Sequence, residues 1–203
     1  ITTAFGKLEV KNRTEKYKVT VEAKNGSKMY DGTPLTVKGF RKLIYVVEGN
    51  IYTVEGLTAE KTVTNVSDTG EVEVKGTAIV KDTDGNDVTA QFTVETKNGN
   101  ATIRPRKVTL TSDSASREYN GKPLTNHLVF IEEDGFIEGE GARYHVTGSQ
   151  TLVGSSDNTF TYTLHDGTKA ENYDITTAFG KLTVTDRSEE HKYPITVEAN
   201  SDT

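Results

Sequence analysis

The chain has 203 residues, a formal net charge of −6, 33% hydrophobic residues and no cysteine or tryptophan. Without cysteine there are no disulfides, thiolate metal sites or cysteine nucleophile. The scattered Lys and Arg disfavour nucleic acid and anionic membranes, which need a concentrated basic face. The apolar content is lean for one large globule and fits two small domains, which keep more of their surface wet.

In chain order, the first ten residues read ITTAFGKLEV and return almost unchanged as ITTAFGKLTV at 175–184. The sequel is copied too, KYKVTVEA (16–23) against KYPITVEA (192–199). Between them, KVTVEAKNGSKMYDGTPLT (18–36) aligns without a gap to KVTLTSDSASREYNGKPLT (107–125), 89 residues later. Repeats of this kind mark one structural unit copied along the chain. Residues 17–104 form one repeat and 105–185 a second. Residues 1–16 read as the last strand of a preceding repeat plus a linker, and 186–203 as a linker plus the first strand of a following one. The chain thus opens mid-pattern, as a segment of something longer. The two torn strands are unpaired edges, and such edges are adhesive. They are expected to pair with a neighbouring chain or with the adjoining module. The step through Arg104-Pro105-Arg106 is short and predicts a stiff joint, because proline fixes φ. The longer, charged linkers KNRTEKYK and TDRSEEHKYP predict looser ones.

Within the units the apolar period is two. KVTVEA, EVEVKGTAIV, AQFTVET, NTFTYTL and GKLTV alternate β-branched or aromatic residues with polar ones, the pattern of half-buried strands. Asx-Gly and Gly-Asn pairs between them mark turns. No amphipathic helix of ten residues is visible. The sequence predicts an all-β fold of two small modules laid end to end. Ig-like sandwiches are favoured; a β-grasp-like module is the alternative and would need a helix.

The repeated corner consists of Tyr30, Asp31, Gly32, Pro34 and Leu35 in the first unit and Tyr119, Asn120, Gly121, Pro123 and Leu124 in the second. Asx-Gly suits a turn in which glycine takes φ > 0. Proline stiffens the exit and leucine returns apolar surface to the core. We read it as a structural turn motif, against a Tyr-Asp ligand site. Together with VTGSQTLVGSSDNTF (146–160) and NYDITTAFGKLTVT (172–185), this corner resembles the YDG/MBG-type tandem repeats of large bacterial surface adhesins. The resemblance covers both units, closely in the second. The first departs in the middle, where VSDTGEVEVKG (66–76) stands in place of VGSSDNTF. It implies an exported, non-catalytic, extracellular module, part of a stalk on the cell surface and wall-anchored in the full-length protein, whose partners are neighbouring repeats. The rival reading is a weak multivalent binder of host mucin, glycan or matrix protein.

Candidate chemistry is sparse. His127, His145, His165 and His191 are dispersed, with no H-E-x-x-H spacing, and no G-x-S-x-G elbow or phosphate loop occurs. We therefore expect no enzyme and no cofactor. DTDGND (82–87) sets Asp82, Asp84 and Asp87 around a glycine, an oxygen-rich loop of the type calcium uses. It lacks the distal glutamate of an EF-hand, and a plain hairpin turn is the competing reading. Lys18 and Lys107 recur at one strand position and raise an isopeptide crosslink, which needs a buried lysine. An insert in the first unit, FRKLIYVVEGNIY (40–52), carries Phe40, Arg41, Tyr45 and Tyr52. Aromatics with arginine make binding hot spots, so these four are candidate ligand contacts, against an extra hairpin packed on the unit.

Overall fold

Alternation makes the strands, and the first one shows how. In β1 (Tyr17–Glu22) Val19 and Val21 are buried while Lys18 and Thr20 face solvent. The computed structural model describes residues 4–9, 11 and 13–198, and among them it is all-β; the helical pieces there are 3-10 turns of three residues. The helix that a β-grasp module needs does not occur among the described residues. The chain divides into two compact units, Ile1–Arg104 and Pro105–Thr203.

The first unit continues with β2 (Gly26–Met29), β3 (Leu35–Lys38), β4 (Ile44–Val47), β5 (Asn50–Val63), β6 (Gly70–Val72), β7 (Val74–Lys81), β8 (Phe92–Lys97) and β9 (Gly99–Arg104). The 14-residue β5 is its spine. It pairs antiparallel with β4 across a tight hairpin, with β3 at its far end, and with β7 along its length. The hairpin turns at Glu48-Gly49, both at positive φ, as a two-residue turn between twisted strands requires. Val19, Val21, Val54, Val80 and Phe92 form a buried cluster, flanked by Tyr17, Phe40, Tyr45 and Tyr52. Each such aliphatic or aromatic side chain contributes about 1.5–3 kcal/mol when fully buried.

The second unit contains β10 (Arg106–Ser112), β11 (Ala115–Glu118), β12 (Val129–Glu133), β13 (Ala142–Val146), β14 (Gly154–Asp157), β15 (Phe160–Leu164), β16 (Tyr173–Ala178) and β17 (Lys181–Thr185). Its three small sheets run β12-β10-β16, β11-β17-β14 and β13-β15. Val108, Leu110 and Leu182 are fully buried, and Val184 and Leu124 nearly so.

Both units share one uncommon device: the first and last strands are parallel neighbours. In the first unit β1 pairs with β8 and β2 with β9, from Tyr17↔Phe92 to Met29↔Arg104, in one register of 75 residues. In the second, β10 pairs with β16 and β11 with β17, from Arg106↔Tyr173 to Glu118↔Thr185, in one register of 67. Each pairing is interrupted once without losing register, where the two strands pass together from one small sheet into another; this step is the kink. The kink falls at Gly99 and Gly180, where an added Cβ would lie 2.1 Å from the Lys24 carbonyl oxygen and 2.5 Å from that of Ser112.

The expected terminal strands are not strands in what is described of them. Residues 4–9 carry none, and Phe5 and Leu8 are 95% and 99% exposed. Residues 192–198 carry none either, and Ile195 and Val197 stand free. The matching positions inside whole units, Leu182, Val19 and Val21, are buried. A lone strand has no ladder and no sheet face to pack on, so alternation by itself does not hold it extended. The rest of these two segments, residues 1–3, 10 and 199–203, lies outside the described residues.

Candidate functional site

The repeated corner is built the same way twice. Tyr30 is buried, and its amide donates to the Arg104 carbonyl; the Tyr119 amide donates to that of Thr185. The Asp31 carboxylate accepts from the Thr33 amide at 2.9 Å and its hydroxyl at 2.7 Å, and Asn120 Oδ1 accepts from the Lys122 amide at 3.0 Å. Gly32 and Gly121 both take φ of 77°. Pro34 and Pro123 are exposed on the corner's rim, Leu124 is buried, and Leu35 opens β3 opposite Val63. A basic residue 89 apart props each corner. Lys28 Nζ donates to Asp31 at 2.6 Å, and Arg117 donates to the Lys122 carbonyl. The Lys28 ammonium, then the Thr33 donors, hold the Asp31 carboxyl well below the usual carboxylate range. Every polar group of this corner named here serves the turn.

In the acidic loop the Asp82 and Asp87 carboxylates are likewise spent on donors of the loop itself. Asp82 accepts from the amides of Asp84 and Asn86 and from Asn86 Nδ2, and Asp87 from the Thr89 amide. The Asn86 and Thr89 donors lower the two carboxyls. Asp82, Asp84 and Asp87 do not form a ligand set; among the described residues no group of three or more His, Asp or Glu is placed to hold a metal ion. An Asx turn uses the carboxylate oxygens that a cation would need.

The insert also reads differently in three dimensions. Phe40, Tyr45 and Tyr52 turn inward: all three pack against the buried cluster, Tyr52 meets Phe92 edge-on at 4.8 Å, and the Tyr45 hydroxyl donates to the Thr20 carbonyl. Arg41 is exposed and lies 3.8 Å from Glu22. The four do not make a shared ligand-contacting face. What the hairpin does show to solvent is Ile44, Val46 and Ile51, 57%, 66% and 48% exposed. Lys18 and Lys107 are exposed at their strand starts, which removes the buried lysine that an isopeptide bond requires. The four histidines are exposed and dispersed, with His191 paired to Glu118 at 2.8 Å.

The linkers, expected to be loose, carry defined contacts. Ahead of the first unit, the Arg13 guanidinium lies 4.1 Å above the Tyr17 ring and donates to its hydroxyl at 2.8 Å. Tyr17 in turn donates to Glu48 at 2.6 Å and packs 5.5 Å from Phe92, while the Arg13 amide donates to Gln91. The Glu48 acceptor pushes the Tyr17 phenol up. Behind the second unit, Arg187 lies 4.2 Å above the Tyr193 ring and donates to its hydroxyl at 3.4 Å. Arg187 also donates to the Tyr119 carbonyl at 3.0 Å and to that of His191. Among the described residues no helix is long and apolar enough to cross a membrane. No protein-family model matches this chain, and neither the curated proteins nor the solved structures give a match.

Proposed function

We propose that each unit is a non-catalytic stalk or spacer module of a bacterial surface adhesin, working outside the cell beside further copies of itself. The observation that carries this reading is the parallel pairing of first and last strands, kept in one register through two successive ladders in each unit. Within a unit the chain comes in at one end of the ladder and goes out at the other, roughly 40 Å away. Tension applied through those ends slides the two strands past each other. The hydrogen bonds lie across the pull, share the load and fail together. The function so read needs no metal, cofactor, nucleic acid or inserted membrane segment.

Single-molecule pulling on the full chain tests this. Two unfolding steps are expected, of about 28 nm for the first unit and about 25 nm for the second. A chain without cysteine accepts attachment points at will. Pulling the first unit through Lys18→Cys and Thr93→Cys, adjacent ladder positions at one end, unzips the bonds singly and is expected to need several-fold less force. Equal forces in the two geometries would count against a spacer.

A second reading has one observation behind it. The apolar group Ile44, Val46 and Ile51 on the outer face of the β4–β5 hairpin is the kind of surface that marks a contact site. In that case the module itself grips mucin, glycan or matrix protein weakly and gains by repetition. Tighter binding of tandem copies than of one copy to mucin or a glycan array selects this reading; no binding by either keeps the spacer.

A further inference from the structure

The two long linkers are one sequence element met in two half-contexts. KNRTEKY (11–17) and TDRSEEHKY (185–193) follow the same GKL-x-V strand sequence and lead into the same K-Y-x-[VI]-T-V-E-A strand sequence. The second is two residues longer, yet both fold onto themselves alike. In each, the arginine stacks on the tyrosine ring and donates Nη1 to its hydroxyl. The two copies differ in what else they hold. Tyr17 is seen with the module that follows it, docked through Glu48 and Phe92. Arg187 is seen with the module that precedes it, docked on the Tyr119 carbonyl at the Asn120-Gly121 corner, while His191 and Ser188 close on each other and on Glu118.

Joining the two halves gives a whole joint. We propose that, wherever this long linker connects two modules, its Arg–Tyr stack is an interlocking contact between them. The arginine caps the corner of the module behind, and the tyrosine on which it stacks is the first-strand residue of the module ahead, bonded to that module's Glu48-type carboxylate. The partner is therefore a second module of the Tyr17–Arg104 kind. The surface awaiting it is a crevice of about 560 Å³ lined by Tyr119, Val153, Asp186, Arg187, Glu189 and Lys192. Val153 is 49% exposed there and supplies apolar area for a neighbour. A guanidinium fits this place because one flat group can stack on a ring and still donate in its own plane to a carbonyl, which an ammonium cannot do.

The joint does not depend on the spacer reading: a stiff joint in a chain that also binds mucin would sink the spacer and leave the joint intact. The test is a fusion of residues 1–198 continued by residues 23–104, so that the native Tyr193–Glu198 becomes the first strand of an added module. Spin labels go on Thr161→Cys and on Lys75→Cys of the added module, both exposed strand positions. A single narrow distance distribution is expected. Arg187→Ala should widen it at least twofold, and Arg187→Lys should widen it as well. Tyr193→Leu keeps an apolar strand residue without the ring or hydroxyl and should do the same, which covers the case where the arginine variant disturbs its own module. A broad parent distribution, or an unchanged width in the variants with the modules still folded by urea titration, would overturn the interlocking joint.

Discussion

The kink of the terminal ladder is solved twice, with the same backbone and opposite chemistry. In the first unit the close approach at Gly99 is packed by Ala23 and Val72, both fully buried and apolar. In the second, the corresponding glycine is Gly180, and the positions of Ala23 and Val72 are taken by Ser112 and Asn158, also fully buried. Val72 sits opposite Gly99 in its ladder, and the Asn158 amide donates to the Gly180 carbonyl. Asn158 Nδ2 donates at 2.8 Å to the carbonyls of both Asp113 and Asn126, and Ser112 Oγ donates to the Asn158 carbonyl while accepting from the Gly180 amide. The backbone crossing demands a residue without a Cβ; what fills the space beside it is open to either a hydrocarbon or a polar pin, Asn158, whose Nδ2 is fully engaged while its buried Oδ1 has no hydrogen-bond partner among the described residues. That is why VSDTGEVEVKG and VGSSDNTF, so unlike as strings, occupy the same part of the module.

The sharpest way to break the comparison is at its shared element. Gly99→Ala and Gly180→Ala each drive a Cβ into backbone oxygen, and each is expected to cost its own unit about 4 kcal/mol in urea unfolding. A mild effect in one unit only would mean that the two kinks are not equivalent. Next comes the chemical swap. Val72→Asn places an amide in a site built for hydrocarbon and should cost about 3 kcal/mol. Asn158→Val strands the Asp113 and Asn126 carbonyls and should cost about 2 kcal/mol. If either swap is neutral, the packing at that kink is looser than the burial implies. The smallest effect separates the corners. The Asp31 carboxyl is depressed in the folded state, so its contribution is complete above the unfolded value of about 3.9 and is lost as pH falls below it. Asn120 does not titrate. Acid titration of unfolding should therefore show a falling limb below about pH 4 for the first unit that Asp31→Asn diminishes.

Much of this was written locally. The Asx-Gly corners could be read because turn chemistry is a matter of four adjacent residues, and the copied strands because alternation is visible over six. What escaped has longer range. Nothing in KVTVEA names AQFTVET as its parallel neighbour, since register is chosen by the finished core. In FRKLIYVVEGNIY both strand faces are apolar, Ile44 and Val46 on one and Tyr45 and Val47 on the other, so alternation could not say which faced in. Tyr45 and Tyr52 thus looked like contacts and are packing. The terminal segments 4–9 and 192–198 have the strand pattern without a sheet to join. The Arg–Tyr stacks were within reach: the echo of KNRTEKY in TDRSEEHKY preserves both residues, but the two extra residues in the second hide the match from a fixed-offset comparison.

The parallel ladder also sets the order of events when a module is made. Its partners are 75 residues apart in one unit and 67 in the other, so the closing strand is the last to leave the ribosome. Until then β1 of the first unit lacks its ladder partner, and β10 of the second has only β12 beside it. Long-range closure of this kind is slow. The parallel closure of each copy therefore waits until the synthesis of that copy is finished.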